Sequence, residues 1–118
     1  MSEPDITAIS RVVHDAIRAW SVANGQPLLP EWDEAPDWMR DSTAESVEFT
    51  IANPSAPPSA QHDQWMRQKE RDGWRHGAEK DPEAKTHPMM VPYEELPTME
   101  RRKDALLKAV VIALSEPI

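Results

Sequence analysis

The sequence predicts a mainly α protein, in which two helices precede a helix–loop–helix unit with very short β-strands in its loop. Apolar residues recur at three- and four-residue spacing in three segments, which is the pattern of amphipathic helices, and Ser59 and Gly73 bound a fourth predicted helix. The 12 prolines fall mostly between those segments and mark their ends. Residues 62–97 hold the only tyrosine, three of the four histidines and two of the three glycines, which indicates a connection of specific shape.

The first helix is predicted over residues 6–24. Asp5 is a suitable N-cap, and Gly25 stands where a C′ glycine ends a helix. His14 lies beside the apolar face, and we expect it to be a structural histidine with a hydrogen bond. The face that turns to the core is formed by Ile6, Ile9, Val13, Ala16, Ile17 and Trp20.

A connector over residues 26–35 follows the first helix. Pro27 and Pro30 prevent a helix there. We therefore expect an extended segment that packs over the core through Leu28, Leu29 and Trp32.

The second helix is predicted to begin at Pro36, which suits the N1 position, and to end before Pro54. Acidic residues near its start favour the positive end of the helix dipole. Its predicted inner face is only weakly apolar and carries Trp38, Ser42, Glu45, Phe49 and Ala52, with Val47 and Ile51 on a neighbouring line.

The third helix is predicted over residues 60–72, with Ser59 as its N-cap and Gly73 at its end. Trp65 and Lys69 share one face at i, i+4, and His62 lies one turn earlier. In the following loop, residues 74–77 and 89–92 are expected to pair as a minimal two-stranded ribbon.

The last helix is predicted over residues 97–114, with Pro97 at N1. It is the most apolar of the four, and we expect it at the centre of the core. Its apolar face is formed by Met99, Lys103, Leu106, Val110 and Leu114, with Leu107 and Val111 beside them.

Composition narrows the classes of function. The net charge is −8, and residues 1–60 carry −7 of it, with ten acids against three bases. Duplex nucleic acid is therefore not an expected partner, because phosphate binding needs clustered Lys and Arg. The chain has no cysteine, no signal peptide and no run of roughly 20 apolar residues, so we expect a cytoplasmic protein without a membrane span.

No motif for metal binding or covalent catalysis is present. No two histidines have the i, i+4 spacing of a helical metal site, and no Gly-x-Ser-x-Gly elbow occurs. The segment from Gly73 to Gly77 lacks the Lys-Ser/Thr of a phosphate-binding loop. We therefore expect no enzyme activity, no metal and no cofactor. Pro88 fixes the backbone of His87, which suits a ligand contact and a structural hydrogen bond equally.

Aromatic and cationic residues lie close together around the loop. An exposed tryptophan can stack a base while a neighbouring cationic group neutralises a phosphate. The candidate cationic groups are Lys69, Arg75, Lys80, Lys85 and His87. The alternative is that Trp65 and Trp74 only fill the corner between helix and loop. Both interpretations stay open here, since one face of a ring can be packed while the other is free.

The same stretch follows an ordered pattern of residues that are seldom interchangeable. The pattern consists of His62, Trp65, Lys69, Gly73, Trp74, Gly77, Asp81, Lys85, His87, Pro88, Val91, Pro92, Tyr93, Glu95, Leu96 and Pro97. With the helix that follows, to about residue 114, it resembles the ryanodine receptor repeat, or RyR domain. Residues 1–58 resemble the extension of stand-alone bacterial or bacteriophage members. The departures are His76, where tyrosine is common, and Met89 with Met90, where Cys-Leu is usual.

The resemblance implies one domain over residues 1–118, with a helical extension at 5–58 and the core repeat at 59–115. It implies a non-enzymatic protein that binds a nucleotide-derived small molecule by aromatic stacking. Trp65 holds the position of the family's helix tryptophan, and His87 and Asp104 match polar positions that can face the same pocket. With the lysine of the aromatic cluster, the expected ligand-binding residues are Trp65, Lys69, His87 and Asp104. The loop is expected to take its shape from Gly73, Trp74, Pro88, Pro92, Tyr93 and Pro97.

Other functions remain as alternatives. A protein–protein interaction module, in phage–host conflict or defence, would use exposed tryptophan and the Pro-rich connectors without a small-molecule ligand. An enzyme that turns over nucleotide signals would depend on His87. Because the family's repeats act in tandem pairs elsewhere, the resemblance also implies a possible homodimer.

Overall fold

Four α-helices form the body of the protein in the computed structural model, which describes residues 4–115. Two-residue strands and two 3-10 turns (Trp32–Glu34 and Tyr93–Glu95) lie in the connections. The helices are α1 (Ile6–Ala23), α2 (Asp37–Ala52), α3 (Pro58–Arg71) and α4 (Thr98–Ser115), and the strands are β1 (Arg75–His76) and β2 (Thr86–His87). The predicted mainly α fold, with very short strands in the loop between the last two helices, is confirmed.

The helices pack in a ring, in which each contacts its two neighbours and α2 also contacts α4 across the middle. The hydrophobic core lies where α1, α2 and α4 meet. Its fully or nearly buried side chains are Ile9, Val13, Val47 and Val111. The two N-terminal helices therefore share their apolar contacts with the helix–loop–helix unit.

The interface between α2 and α3 is polar and hydrogen-bonded. Three hydroxyl groups of α2 donate to glutamine side chains of α3 that follow in antiparallel order: Ser42 to Gln68, Ser46 to Gln64 and Thr50 to Gln61. Burial of these polar groups is tolerated because they satisfy each other's hydrogen bonds. The predicted inner face of α2 was wrong in part, since its buried residues are Ser42, Ser46, Val47 and Thr50.

The ends of α1 are as predicted. The Asp5 carboxylate accepts a hydrogen bond from the Ala8 backbone N–H at 3.0 Å, and Gly25 has a φ of +71° after the C-cap. His14 is buried, and its Nε2–H donates to the Pro30 carbonyl at 2.7 Å. This histidine therefore ties α1 to the connector, as a structural histidine does.

The starts of the other helices differ from the predicted positions. Pro36 is the N-cap of α2 instead of its N1 residue, and α4 begins at Thr98, directly after Pro97. The predicted Ser59 cap is wrong, because α3 begins at Pro58 and has no side-chain cap. Proline at the first turn needs no hydrogen bond from its nitrogen, which allows the helix to start earlier.

The connector and α4 expose apolar residues that were predicted to pack. Leu28 is 60% exposed, whereas Trp32 is buried. The connector is held instead by its backbone, since Arg18 Nε donates to the Leu29 carbonyl at 2.8 Å. In α4, Met99 and Leu114 are exposed, so its core contacts are limited to the side around Val111.

The predicted pairing of the strands was wrong. β1 pairs in parallel with β2, and residues 89–92 take no part. The cause is a turn in which the Asp81 carboxylate accepts hydrogen bonds from two following backbone N–H groups. Lys85, with a φ of 56°, then returns the chain so that Thr86 lies beside Arg75.

Between residues 4 and 115, no helix combines the length and the apolar character that crossing a membrane requires.

Gly77 lies too close to Thr86 for any side chain. A Cβ atom at position 77 would lie 2.6 Å from Thr86 Cβ. We expect Gly77→Ala to lower the free energy of unfolding by about 1–3 kcal/mol, because the chain must shift to relieve the overlap. Urea denaturation measures this loss.

The matched test is a double-mutant cycle with Thr86→Gly, which removes the opposing Cβ atom. The cost of both changes together should be smaller than the sum of the separate costs. Additive costs, or a Gly77→Ala variant as stable as the parent, would show that this close approach does not exist.

Candidate functional site

A cavity of about 220 Å³ lies between the two N-terminal helices and the helix–loop–helix unit. α1 and α2 line one wall, partly through Ile17, Trp38 and Met39. The opposite wall comes from α3, the loop and α4. It includes all four predicted ligand-binding residues, Trp65, Lys69, His87 and Asp104. The N-terminal helices therefore line the cavity without filling it.

Two histidine rings pack against Trp65 of α3. The ring of His62 stacks on it, with centroids 5.6 Å apart and planes inclined by 26°. His62 is fixed in turn, because its Nε2–H donates to the Val91 carbonyl at 2.7 Å. His87 meets Trp65 edge-on at 4.9 Å and 79°. Trp65 is half-buried, so part of its ring is packed and part borders the cavity.

Lys69 is buried between two tryptophan rings. Its ammonium lies 4.8 Å from the ring centroid of Trp38 and 4.7 Å from that of Trp74. Only 4% of the residue is exposed, and among residues 4–115 no carboxylate lies within ion-pair distance of it. Burial lowers the pKa of Lys69 to about 8, and the nearby charge of Asp72 offsets only part of this shift. The ammonium therefore depends on cation–π contacts for its local stabilisation.

His87 is a neutral hydrogen-bond donor at neutral pH. Its Nδ1 accepts the Met89 backbone N–H at 3.0 Å, so the proton of the neutral ring is on Nε2. Burial, followed by the charges of Lys80, Lys69 and Lys103, lowers the pKa of His87 to about 3. The ring therefore presents an N–H group and resists protonation.

Charged residues of α4 also line the cavity. Lys103 forms an ion pair with Glu100 at 3.1 Å, and its ammonium lies 5.2 Å from the Trp20 ring centroid. Burial and the neighbouring Glu100 raise the pKa of Asp104 to about 7, although Lys103 opposes the shift. At neutral pH the Asp104 carboxyl therefore can either donate or accept a hydrogen bond.

The predicted loop residues shape the route from α3 to α4. Gly73 adopts a φ of +90°, and Trp74, which is buried, donates its backbone N–H to the Lys69 carbonyl at 2.9 Å. Pro92 begins the 3-10 turn, where the Arg101 guanidinium lies 5.5 Å from the Tyr93 ring. Pro88 follows β2 and Pro97 precedes α4. Trp74 thus fills the corner of the fold and also forms one side of the Lys69 site.

The cavity residues that were not predicted to bind a ligand include Trp38, Lys80 and Lys103, of which only Lys80 was named among the cations near the aromatic residues. Trp38 comes from the N-terminal half, and Lys80 is exposed overall although its side chain reaches the cavity. Lys103 was assigned to the apolar face of the last helix. A lysine on such a face is the one signal that could have revealed it, since an ammonium seldom faces a core without a partner.

A sequence model of the RyR domain matches residues 55–113, which is half of the chain. The chain belongs to the RyR domain family. No curated protein matches the chain. The matched RyR region contains all four predicted ligand-binding residues, whereas Trp38 and the other cavity residues of α1 and α2 lie outside it.

Within residues 4–115 of this RyR-domain protein, no group of three or more histidine, aspartate or glutamate side chains is placed to hold a metal ion.

Asp104 makes the folding stability depend on pH. Its pKa is about 7 in the folded state, against an ordinary value of 3.8. Between these values the folded carboxyl holds a proton that the unfolded chain has released, so stability falls as the pH rises from about 4 to about 7. His87 acts in the opposite direction, because its folded pKa of about 3 lies below the ordinary 6.5. Its contribution is lost as the pH falls from 6.5 to about 3.

We therefore expect Asp104→Asn to stabilise the protein more at pH 8 than at pH 4.5, by about 1–2 kcal/mol. The reason is that the amide is never charged and avoids the cost of the buried carboxylate. Urea denaturation at both pH values measures the difference, and Asp63→Asn, an exposed carboxyl of α3, is the matched control. An equal effect of Asp104→Asn at the two pH values would contradict the raised pKa.

Proposed function

We propose that this RyR-domain protein is a non-enzymatic binding protein that recognises a nucleotide-derived small molecule by aromatic stacking. The observation that carries the proposal is the cavity between the N-terminal helices and the helix–loop–helix unit. It combines a half-buried tryptophan, a neutral imidazole N–H, a carboxyl group and lysine side chains. Ligand sites in proteins are typically concave and mostly apolar, with a few polar groups that fix orientation.

Trp65 is the proposed platform for the base. Its packing against His62 fixes the ring before a ligand arrives, which lowers the entropic cost of binding. Stacking of a base on an aromatic side chain contributes about 1–3 kcal/mol. His87 Nε2–H can donate to an acceptor on the edge of the base, and the Asp104 carboxyl can bind a donor or an acceptor of the base or sugar.

Asp104, with a pKa of about 7, can act as a general acid or base, but His87 and the cavity hydroxyls are unsuited to catalysis. A general base works best when its pKa lies near the operating pH, and His87, with a pKa of about 3, is far below it. The hydroxyls of Ser42 and Ser46, which line the cavity, donate to glutamine side chains and have no adjacent base. The lack of a basic imidazole and of an activated hydroxyl therefore favours ligand binding, with Asp104 as a hydrogen-bonding group.

Calorimetric titration with ATP, ADP-ribose and cyclic nucleotides tests this proposal. We expect saturable binding of at least one of them, with a change in tryptophan fluorescence. Trp65→Ala should weaken that binding by about tenfold or more, because the stacking contribution is lost. Trp65→Phe is the matched control, since a smaller aromatic ring keeps most of the platform. Absence of saturable binding for every compound, with a folded protein by circular dichroism, would contradict the proposal.

The alternative is a protein–protein interaction module. It is favoured by an open groove on the outer side of α4, which is lined by Pro58, Ala105, Lys108, Ala109, Ile112 and Ala113. A stoichiometric protein partner that is lost in Ile112→Glu, together with a melting temperature unaffected by nucleotides, would support this function. The possible homodimer stays a prediction, which light scattering of the purified chain tests.

A further inference from the structure

We propose that Lys69, Lys80 and Lys103 form an anion subsite in the cavity, and that the ligand is a single nucleotide with one phosphate group. This inference rests on the proposed function and narrows its ligand class. It assigns the base to the Trp65 end and the phosphate to the three ammonium groups.

The three lysines converge on one cavity from three different elements. Lys69 comes from α3, Lys80 from the loop between the strands, and Lys103 from α4, and all three line the same space. Each of their charges lowers the pKa of His87, which places all three within electrostatic reach of one ring. The net charge of the chain is −8, so this local group of positive charges is opposite in sign to the protein as a whole.

Two of the three ammonium groups have no ion-pair partner among the described residues. Between residues 4 and 115, Lys103 has an ion-pair partner in Glu100, whereas neither Lys69 nor Lys80 has one within 4 Å. The rings around Lys69 bind its charge but accept no conventional hydrogen bond from the ammonium. The charged form of Lys80 is also disfavoured, since partial burial and then the charge of Lys103 lower its pKa. Like charges held together in this way are stabilised when an anion binds between them.

The charge balance fits one phosphate group. The three ammonium groups face Glu100 and an Asp104 carboxyl that is about half ionised at neutral pH. Among the side chains that line the cavity, the excess is therefore between one and two positive charges, and Asp72 and Glu45 act on Lys69 from outside it. A phosphate monoester carries about −1.5 to −2 at pH 7, which neutralises that excess, whereas a triphosphate would exceed it.

The size of the cavity leads to the same ligand class. Its volume of about 220 Å³ is below the roughly 300–1,000 Å³ of sites for drug-sized molecules. Among nucleotides, this volume favours the smallest, which carry a single phosphate. The stacked base and the phosphate can then bind at once, because Trp65 and Lys69 lie on one face of α3 at i, i+4.

Isothermal titration of the full chain with nucleosides and their 5′-mono-, di- and triphosphates, for adenine, guanine, cytosine and uracil, tests this inference. We expect one monophosphate to bind at least about tenfold more tightly than its nucleoside, because its phosphate forms charge-assisted hydrogen bonds with the ammonium groups. The di- and triphosphates should show no further gain. Lys80→Met and Lys103→Met should each weaken binding of the monophosphate by a larger factor than binding of the nucleoside, and so remove most of the preference for the monophosphate. Arg102→Met, on the exposed side of α4, is the matched control and should have no effect.

Three kinds of failure are distinguishable. Equal affinity for nucleoside and monophosphate, or an equal effect of Lys80→Met on both, would overturn the anion subsite while the stacking proposal stands. A triphosphate that binds tenfold more tightly than the monophosphate would overturn the limit of one phosphate. If no base-containing compound binds, the proposed function fails, and the ligand class fails with it. Saturable binding of inorganic phosphate that is lost in Lys80→Met would then still support the anion subsite itself.

Discussion

The burial of the Lys69 ammonium between Trp38 and Trp74 is the interaction on which the arrangement of the cavity depends. It brings together α2, α3 and the start of the loop, so it links the N-terminal helices to the RyR region. Each cation–π contact contributes about 0.5–2 kcal/mol, which offsets part of the cost of removing the charge from water. Since no carboxylate neutralises it among the described residues, the ammonium keeps its attraction for an anion.

This contact also explains why the loop needs its particular residues. Gly73 ends α3 in a left-handed conformation, which turns Trp74 back over the helix that carries Lys69. The turn at Asp81 then brings β2 beside β1 and places His87 against Trp65. The loop is therefore a support that fixes aromatic rings and an imidazole around one lysine, and its strands are too short to contribute much stability of their own.

His87 and Asp104 both favour their neutral forms, the first without its extra proton and the second with one. His87 stays neutral and Asp104 holds its proton up to about pH 7, so the effects of the two residues on stability oppose each other over much of the acidic range. Both shifts have the same origin, which is the cost of a charge in a partly buried site. The lysines remain as the main charges near neutral pH, and the proposed preference of the cavity for anions rests on them.

Local sequence patterns predicted most of the fold and part of the site. The four helices, the Asp5 cap and the glycine ends of α1 and α3 follow from signals within a few residues, and the spacing of Trp65 and Lys69 placed both on one helix face. The α2–α3 interface was not predictable in this way, because its serine and threonine side chains are satisfied only by glutamines of another helix. The strand pairing was missed for a similar reason, since the Asp81 turn decides which segment returns to β1. Trp38, Lys80 and Lys103 join the site only through tertiary contacts.

The five tryptophans offer the most direct test of the central claim, which is that a nucleotide binds in the cavity beside Trp65. The indole N–H signals in a two-dimensional ¹H–¹⁵N spectrum, assigned by single substitutions, report on each ring during titration with nucleoside monophosphates. The account predicts saturable shifts of Trp65 and of the cavity rings Trp38 and Trp74, with little change at Trp32, which does not line the cavity. Shifts confined to Trp32, or no saturable shift at Trp65 with any nucleotide, would contradict it.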